Sequence, residues 1–260
     1  MNTQKQGDAI ALNYAMYEDK TFAIKTKSKI IRFGVVSDTH LCSNYQQLTH
    51  LKDTYKFFHE KGAEFVLHCG DLTDGEKVYR GHDYETFIIG ADDTVDYVVK
   101  KYPNSLPTYV ISGNHDLSWF LKSGVDIVKN ICEKRSDFTY LGQMGAYIMV
   151  NNVKIYMVHG LGSPAYAISY KSQKLVEGFS SENKPNMLFV GHFHSNFCAF
   201  MRNIFVCHPG SFQGQTPMLR RLAIFPVIGG YLVEIEINKT GFVRFRYEFL
   251  PCFNPKFKDI

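Results

Sequence analysis

Five times along this chain an apolar run stops on a short cluster of Asp, Asn or His, most often beside a glycine. Residues 30–36 carry one charge, Arg32, and end at Ser37-Asp38-Thr39-His40. Residues 65–69 stop at Gly70-Asp71, and 109–111 stop just before Gly113-Asn114-His115-Asp116. Later, 153–158 end at His159-Gly160 and 187–190 at Gly191-His192-Phe193-His194. Such short, nearly uncharged runs read as strands buried on both faces. Between the first two, Leu48, Leu51, Tyr55 and Phe58 recur at helical spacing until Gly62; Tyr84, Ile88, Ala91, Val95, Val98 and Tyr102 do the same before Pro103. Strand alternating with helix predicts parallel pairing, and parallel strands deliver their carboxyl ends to one edge of the sheet.

After residue 137 the texture changes to closely spaced β-like runs at 146–150, 153–158, 187–190, 204–208, 231–237 and 242–249, interrupted by a helix expected over 166–179. The pattern predicts an α/β protein, a four-layer β-sandwich flanked by helices, as one domain over 30–250. Residues 1–29, polar and rich in lysine (Lys20, Lys25, Lys27, Lys29), are expected to form an N-terminal extension with one or two short helices around 9–15, and 251–260 a C-terminal tail.

Composition narrows the partners. At 260 residues and 45% hydrophobic content the chain can bury a sizeable core. A net charge of +4, from 29 basic and 25 acidic residues, is not the footprint of a protein that grips a long polyanion. The six cysteines are irregularly spaced without a CxxC pair, so we read them as free thiols in a reducing compartment. No stretch approaches the roughly 20 apolar residues of a spanning helix, nor does the N-terminus read as a signal peptide; a cytoplasmic protein with no membrane partner is expected.

The strand-end clusters carry the chemistry. Asp38, His40, Asp71, Asn114, His159, His192 and His194 are more ligands than one metal ion needs, and two cations sharing a carboxylate fit the count. Imidazole with carboxylate and amide oxygen suits manganese, iron, zinc or nickel rather than a thiolate site. Residues two apart in extended chain point the same way, so Asp38/His40 and His192/His194 can each reach one centre. The glycines before Asp71, Asn114 and His192 relieve crowding where the backbone turns. Any one of these residues alone is more commonly a cap, a turn former or a satisfied core group; five clusters in one order are not.

The order DxH, GDxxD, GNHD, H, GHxH resembles the calcineurin-like metallophosphoesterase superfamily over about residues 30–250. The resemblance implies a two-sheet sandwich with a di-metal centre, Mn²⁺ being the first expectation and Fe, Zn or Ni the alternatives. Carried over by motif, Asp38, His40, Asp71 and His194 hold one metal and Asp71, Asn114, His159 and His192 the other, with Asp71 bridging. A metal-bridged hydroxide would attack phosphorus, His115 would serve as the catalytic acid, Asp116 would orient it, and Asp74 would support the site from behind. Cys207-His208-Pro209-Gly210-Ser211 resembles an NPGS segment of bacterial phosphodiesterases and Mre11-like nucleases, with His208 replacing the Asn. Residues 80–84, 165–171 and 212–217 with Arg220-Arg221 are similar to stand-alone phage metallophosphoesterases.

The motifs do not choose a substrate. Arg80, His82, Gln215 and Arg220 are the expected substrate contacts: the first two lie with Tyr79 and Tyr84 in the long 75–107 connection, and the others follow the last metal motif. Packing and solvated surface charge account for them equally well. The modest charge favours hydrolysis of a small or nucleotide-like phosphodiester. A single-strand-directed Mre11-like nuclease or a phosphomonoesterase is the alternative, which keeps nucleic acid in view as a partner. A non-enzymatic binding module would be expected to have lost ligands, and none is replaced. The apolar run 222–228 suits homo-oligomerisation, or equally a buried sheet edge. Trp119 is expected to pack beneath the active-site loop, and His50, His59 and His68 to be structural.

Overall fold

The apolar runs form strands because each offers alternate residues to two different hydrophobic layers. The computed structural model of the chain describes residues 21–256 and 258–260; the helices expected around 9–15 lie outside them. In the first sheet β2 (Ile30–Val36), β3 (Phe65–His68), β4 (Thr108–Ser112) and β5 (Phe138–Gln143) pair in parallel. The strand β11 (Gly229–Asn238) runs antiparallel to β2 and carries β12 (Gly241–Pro251) on its outer side. The second sheet, also six-stranded, has the order β1 (Thr21–Ile24), β6 (Gly145–Val150), β7 (Val153–His159), β8 (Met187–Gly191), β10 (Ile204–Pro209), β9 (Asn196–Met201).

The period-two rule sorts the core. Ile31, Phe33 and Val35 of β2 face the second sheet and join Ile155, Met157, Phe189 and Phe205 in one buried layer, where Phe33 meets Phe189 edge to face at 6.2 Å. Each such fully buried side chain contributes about 1.5–3 kcal/mol. Val36, Val66 and Val110 face outward, against α1 (Leu48–Glu60), α2 (Ala91–Lys101) and α4 (Ile127–Lys134). Trp119, on α3 (Asn114–Ser123), is buried in that same layer. A third layer packs Val176 of α5 (Tyr170–Gly178) on Tyr156, Leu188 and Val206 of the second sheet. The four layers are those the pattern predicts.

Two boundaries move. Thr21–Ile24, read from the sequence as extension, pairs in parallel with β6. Asp259, read as tail, accepts hydrogen bonds from the Thr49 amide and hydroxyl and so caps α1, which has no side-chain cap of its own at Gln47. Among the described residues no helix is long and apolar enough to cross a membrane.

Candidate metal centre

Parallel strands bring their carboxyl ends to one edge, and the clusters meet there. The chain leaves β2 at Asp38 and His40, β3 at Asp71, β4 at Asn114 and His115, β7 at His159 and β8 at His192 and His194. Five of these residues, Asp38 (φ 51°), His40 (42°), Asp71 (53°), His192 (85°) and His194 (49°), hold left-handed backbone conformations. Non-glycine residues there cost about 1–3 kcal/mol each and persist only where their surroundings impose them. Gly113 is required by closeness: a Cβ there would collide with the Asp71 carboxylate.

Two groups of donors form. Atoms of Asp38, His40 and His194 lie within 4.8 Å of one another, as do atoms of Asp71, His159 and His192. Asp71 stands between them, its Oδ2 3.1 Å from His159 Nε2 and 3.7 Å from His40 Nε2. Asn114 Oδ1 lies 3.1 Å from His159 Nε2. All seven ligands named from the sequence are therefore brought together.

The imidazole tautomers test whether a cation fits. His40 Nδ1–H donates to Asp74 Oδ1 (3.0 Å), which leaves Nε2 with its lone pair. The Ser211 hydroxyl donates to Asp38 O and accepts from His194 Nδ1 at 3.4 Å, leaving His194 Nε2 likewise a lone pair. These two bare nitrogens face each other at 3.1 Å. In the other group His159 Nδ1–H donates to Cys69 O (2.8 Å), so Nε2, beside the Asp71 carboxylate and the Asn114 amide oxygen, is the atom left for a cation or, without one, a proton. His192 Nε2–H donates to Gly162 O (2.8 Å), freeing Nδ1. Acceptors converging on acceptors fit divalent cations, with each histidine oriented by a partner behind it.

The electrostatics agree. Burial works against the Asp38 carboxylate, but the charge and hydrogen bond of His194 outweigh it and hold the group below its usual range. Burial opposes ionisation of Asp71 as well, and His159 and His115 reverse it. Burial disfavours charge on His159, yet Asp71 beside it raises its pKa to about 9. The site thus attracts positive charge at its centre.

Several expected roles are redistributed. The Asp116 carboxylate does not hydrogen-bond the His115 ring, which is held elsewhere. It accepts from the amides of Leu72, Thr73 and Gly113 and from the Thr73 hydroxyl, tying the β3 and β4 loops together; burial and the Asp71 charge push its pKa up to about 6. His115 Nδ1–H donates instead to the Asp74 carbonyl, and its ring lines the cleft. Asp74 is the hub the motif only hinted at: its carboxylate takes His40, His82 Nε2 (3.2 Å) and Gln213 Nε2 (2.8 Å). His82 is therefore buried, with Nε2 on Asp74, and does not line the cleft. Arg80 is exposed and does not line the cleft. The Gln215 amide is used on Ile224 O (2.9 Å), and Arg220 lines a neighbouring cavity with Tyr45 and Lys256. His208, where an Asn is usual, is buried between the hydroxyls of Ser172 and Ser195. No periodicity or spacing marks the partners of Asp74, since Gln213 is 139 residues away.

DNA polymerase II small subunits are similar in sequence: that of Halobacterium salinarum is 19% identical over 246 residues, covering 80% of this chain and 48% of the relative. That of Archaeoglobus fulgidus is 21% identical over 207 residues, covering 66% and 42%. The chain thus spans about half the length of the curated relatives it matches. Among solved structures, one described as a novel archaeal phosphodiesterase aligns at TM-score 0.49 and 13% identity, covering 85% of this chain and 100% of that one. Vps29 of Entamoeba histolytica complexed with zinc aligns at 0.42 and 15%, covering 85% and 99%. The profile of the calcineurin-like phosphoesterase superfamily domain matches residues 31–227, a span that holds every donor described above, and the chain belongs to that superfamily of metal-dependent hydrolases.

Proposed function

We propose that the protein hydrolyses small phosphodiesters with two divalent cations. Asp38, His40, His194 and Asp71 would hold one, Asp71, Asn114, His159 and His192 the other. The observation that carries this reading is the convergence of two sets of lone-pair donors that share Asp71. When bound, such cations supply Lewis-acid charge to a phosphoryl oxygen and acidify a coordinated water toward neutral pH. Manganese heads the candidates on donor chemistry, with iron, zinc and nickel behind it.

The chain's own residues do the rest. His115 is held by the Asp74 carbonyl at Nδ1, so in its imidazolium form Nε2–H is the proton available to a departing alkoxide. Asp38 accepts the His192 amide through both oxygens (3.1 and 3.0 Å), fixing the β2 and β8 loops to each other. Among the described residues, no Lys or Arg lines the cleft of about 410 Å³. With only histidines and bound cations to offset substrate charge, a singly charged diester is favoured over a doubly charged monoester. A single-strand-directed nuclease is the second reading, favoured by the polymerase-subunit relatives; the absence of a cationic lining favours the first. We take residues 21–260 as one catalytic unit, acting in the cytoplasm, and leave self-association to the exposed apolar residues Leu222 and Phe225.

The test compares bis-p-nitrophenyl phosphate, p-nitrophenyl phosphate and a single-stranded oligonucleotide with Mn²⁺, Fe²⁺, Zn²⁺ or Ni²⁺ added. We expect the diester to lead in kcat/KM; a leading monoester or oligonucleotide overturns the reading in favour of that alternative. His115→Ala is expected to keep both metals and lose about 10²–10⁴-fold on a diester with an alkoxide leaving group, and far less on p-nitrophenolate. Equal losses on both overturn the proton-donor role.

A further inference from the structure

One wall of the cleft has nothing to do with holding cations. Phe193, Pro164, Met218, Leu219, Leu222 and Ile224 line the same 410 Å³ cavity as the donors. Leu222 is 46% exposed, so this is apolar surface that the described residues leave uncovered. The wall is also built firmly. A short helix, α6 (Pro217–Arg221), starts with the Thr216 hydroxyl accepting the Leu219 amide (3.2 Å) and Pro217 in its first turn. The Gln215 amide reaches past the helix to the Ile224 carbonyl, closing residues 215–224 into one unit. Tyr79 brings an aromatic ring to the same cavity, and its hydroxyl donates to Glu85 (2.7 Å), which fixes the ring. The cations of this segment, Arg220 and Arg221, line another cavity.

A preformed apolar surface with one fixed aromatic, next to a few converging polar groups, is how proteins orient an uncharged ring. Resting on the phosphodiester reading above, we infer that the substrate is a diester whose retained ester group is a planar, uncharged ring, seated on Met218, Leu219 and Ile224 beside Tyr79. These side chains determine specificity, and Gln215 is a positioning residue that acts through them.

Two diesters with the same charge and leaving group test this: p-nitrophenyl phenyl phosphate and p-nitrophenyl methyl phosphate. The wild-type protein is expected to favour the phenyl ester by about tenfold or more in kcat/KM, mainly through KM. Leu219→Ser and Met218→Ser should bring that ratio close to one, and Gln215→Ala should lower it in part. Binding of diphenyl and dimethyl phosphate to the His115→Ala protein by calorimetry, where turnover of these poor leaving groups is slowed, gives the same preference, and thermal melting shows that the variants fold. Equal kcat/KM for the two diesters in the wild type, or a ratio unmoved by Leu219→Ser in a folded protein, overturns the role of the wall and leaves diester hydrolysis standing. Hydrolysis of neither diester with any of the four metals overturns the phosphodiester reading, and this inference with it.

Discussion

The two halves of the centre have like donors and unlike backing. In the half made by Asp38, His40 and His194, the imidazoles lean on side chains: His40 on the Asp74 carboxylate and His194 on the Ser211 hydroxyl. In the half made by Asp71, Asn114, His159 and His192, they lean on the carbonyls of Cys69 and Gly162. A main-chain carbonyl survives any substitution at its own residue, whereas Asp74 can be changed. Its change would propagate, because the same carboxylate holds His82 and Gln213. The first half is therefore the adjustable one, and the second is fixed by the fold.

The strongest way to break this contrast is to remove what both halves share. Asp71→Asn is expected to lower metal content at both positions and diester hydrolysis by on the order of 10³-fold; elemental analysis showing two full equivalents would refute the shared-carboxylate arrangement. Asp74→Asn sharpens the contrast instead. It should weaken binding of one cation about 10–100-fold, the scale for a partner behind a ligating histidine, and leave the other near wild type. Two metals lost in parallel in a titration would show the halves to be equally dependent on Asp74.

The smallest effect concerns a group behind both halves. His68 is fully buried, and its Nε2–H donates to the Thr39 hydroxyl (3.0 Å), which in turn donates to Leu72 O; Nδ1 has no hydrogen-bond partner among the described residues. Burial lowers its pKa from 6.5 to about 3. The folded state then binds fewer protons than the unfolded one between those values, so stability present above pH 6.5 declines as pH falls toward 3. In chelator-treated protein, urea unfolding of His68→Leu should depend less steeply on pH than wild type between pH 6.5 and 5, by about 1 kcal/mol per pH unit. Parallel slopes would mean that His68 titrates normally.

Residues whose chemistry is local were legible in the sequence. All seven candidate ligands stand at the ends of strands that are largely buried, where a nearly uninterrupted apolar run is the signal. Strands at sheet edges, β1 and β9, carry only half-buried patterns and gave none. The helix α3 was hidden because it begins inside the GNHD cluster itself. Asp116 illustrates a different limit: beside His115 in sequence, it turns away because three backbone amides and a hydroxyl compete for its carboxylate. Arg80 and Arg220 were chosen for positive charge, and among the described residues neither they nor any other Lys or Arg line the cleft.

The left-handed backbone at Asp38, His40, Asp71, His192 and His194 has an evolutionary consequence. Glycine or asparagine would sit there with less strain, so descendants freed from catalysis can drift downhill in folding energy as they shed their donors. Selection for turnover must oppose that slope in every generation, and a lineage that relaxes it should show the change first at these five positions.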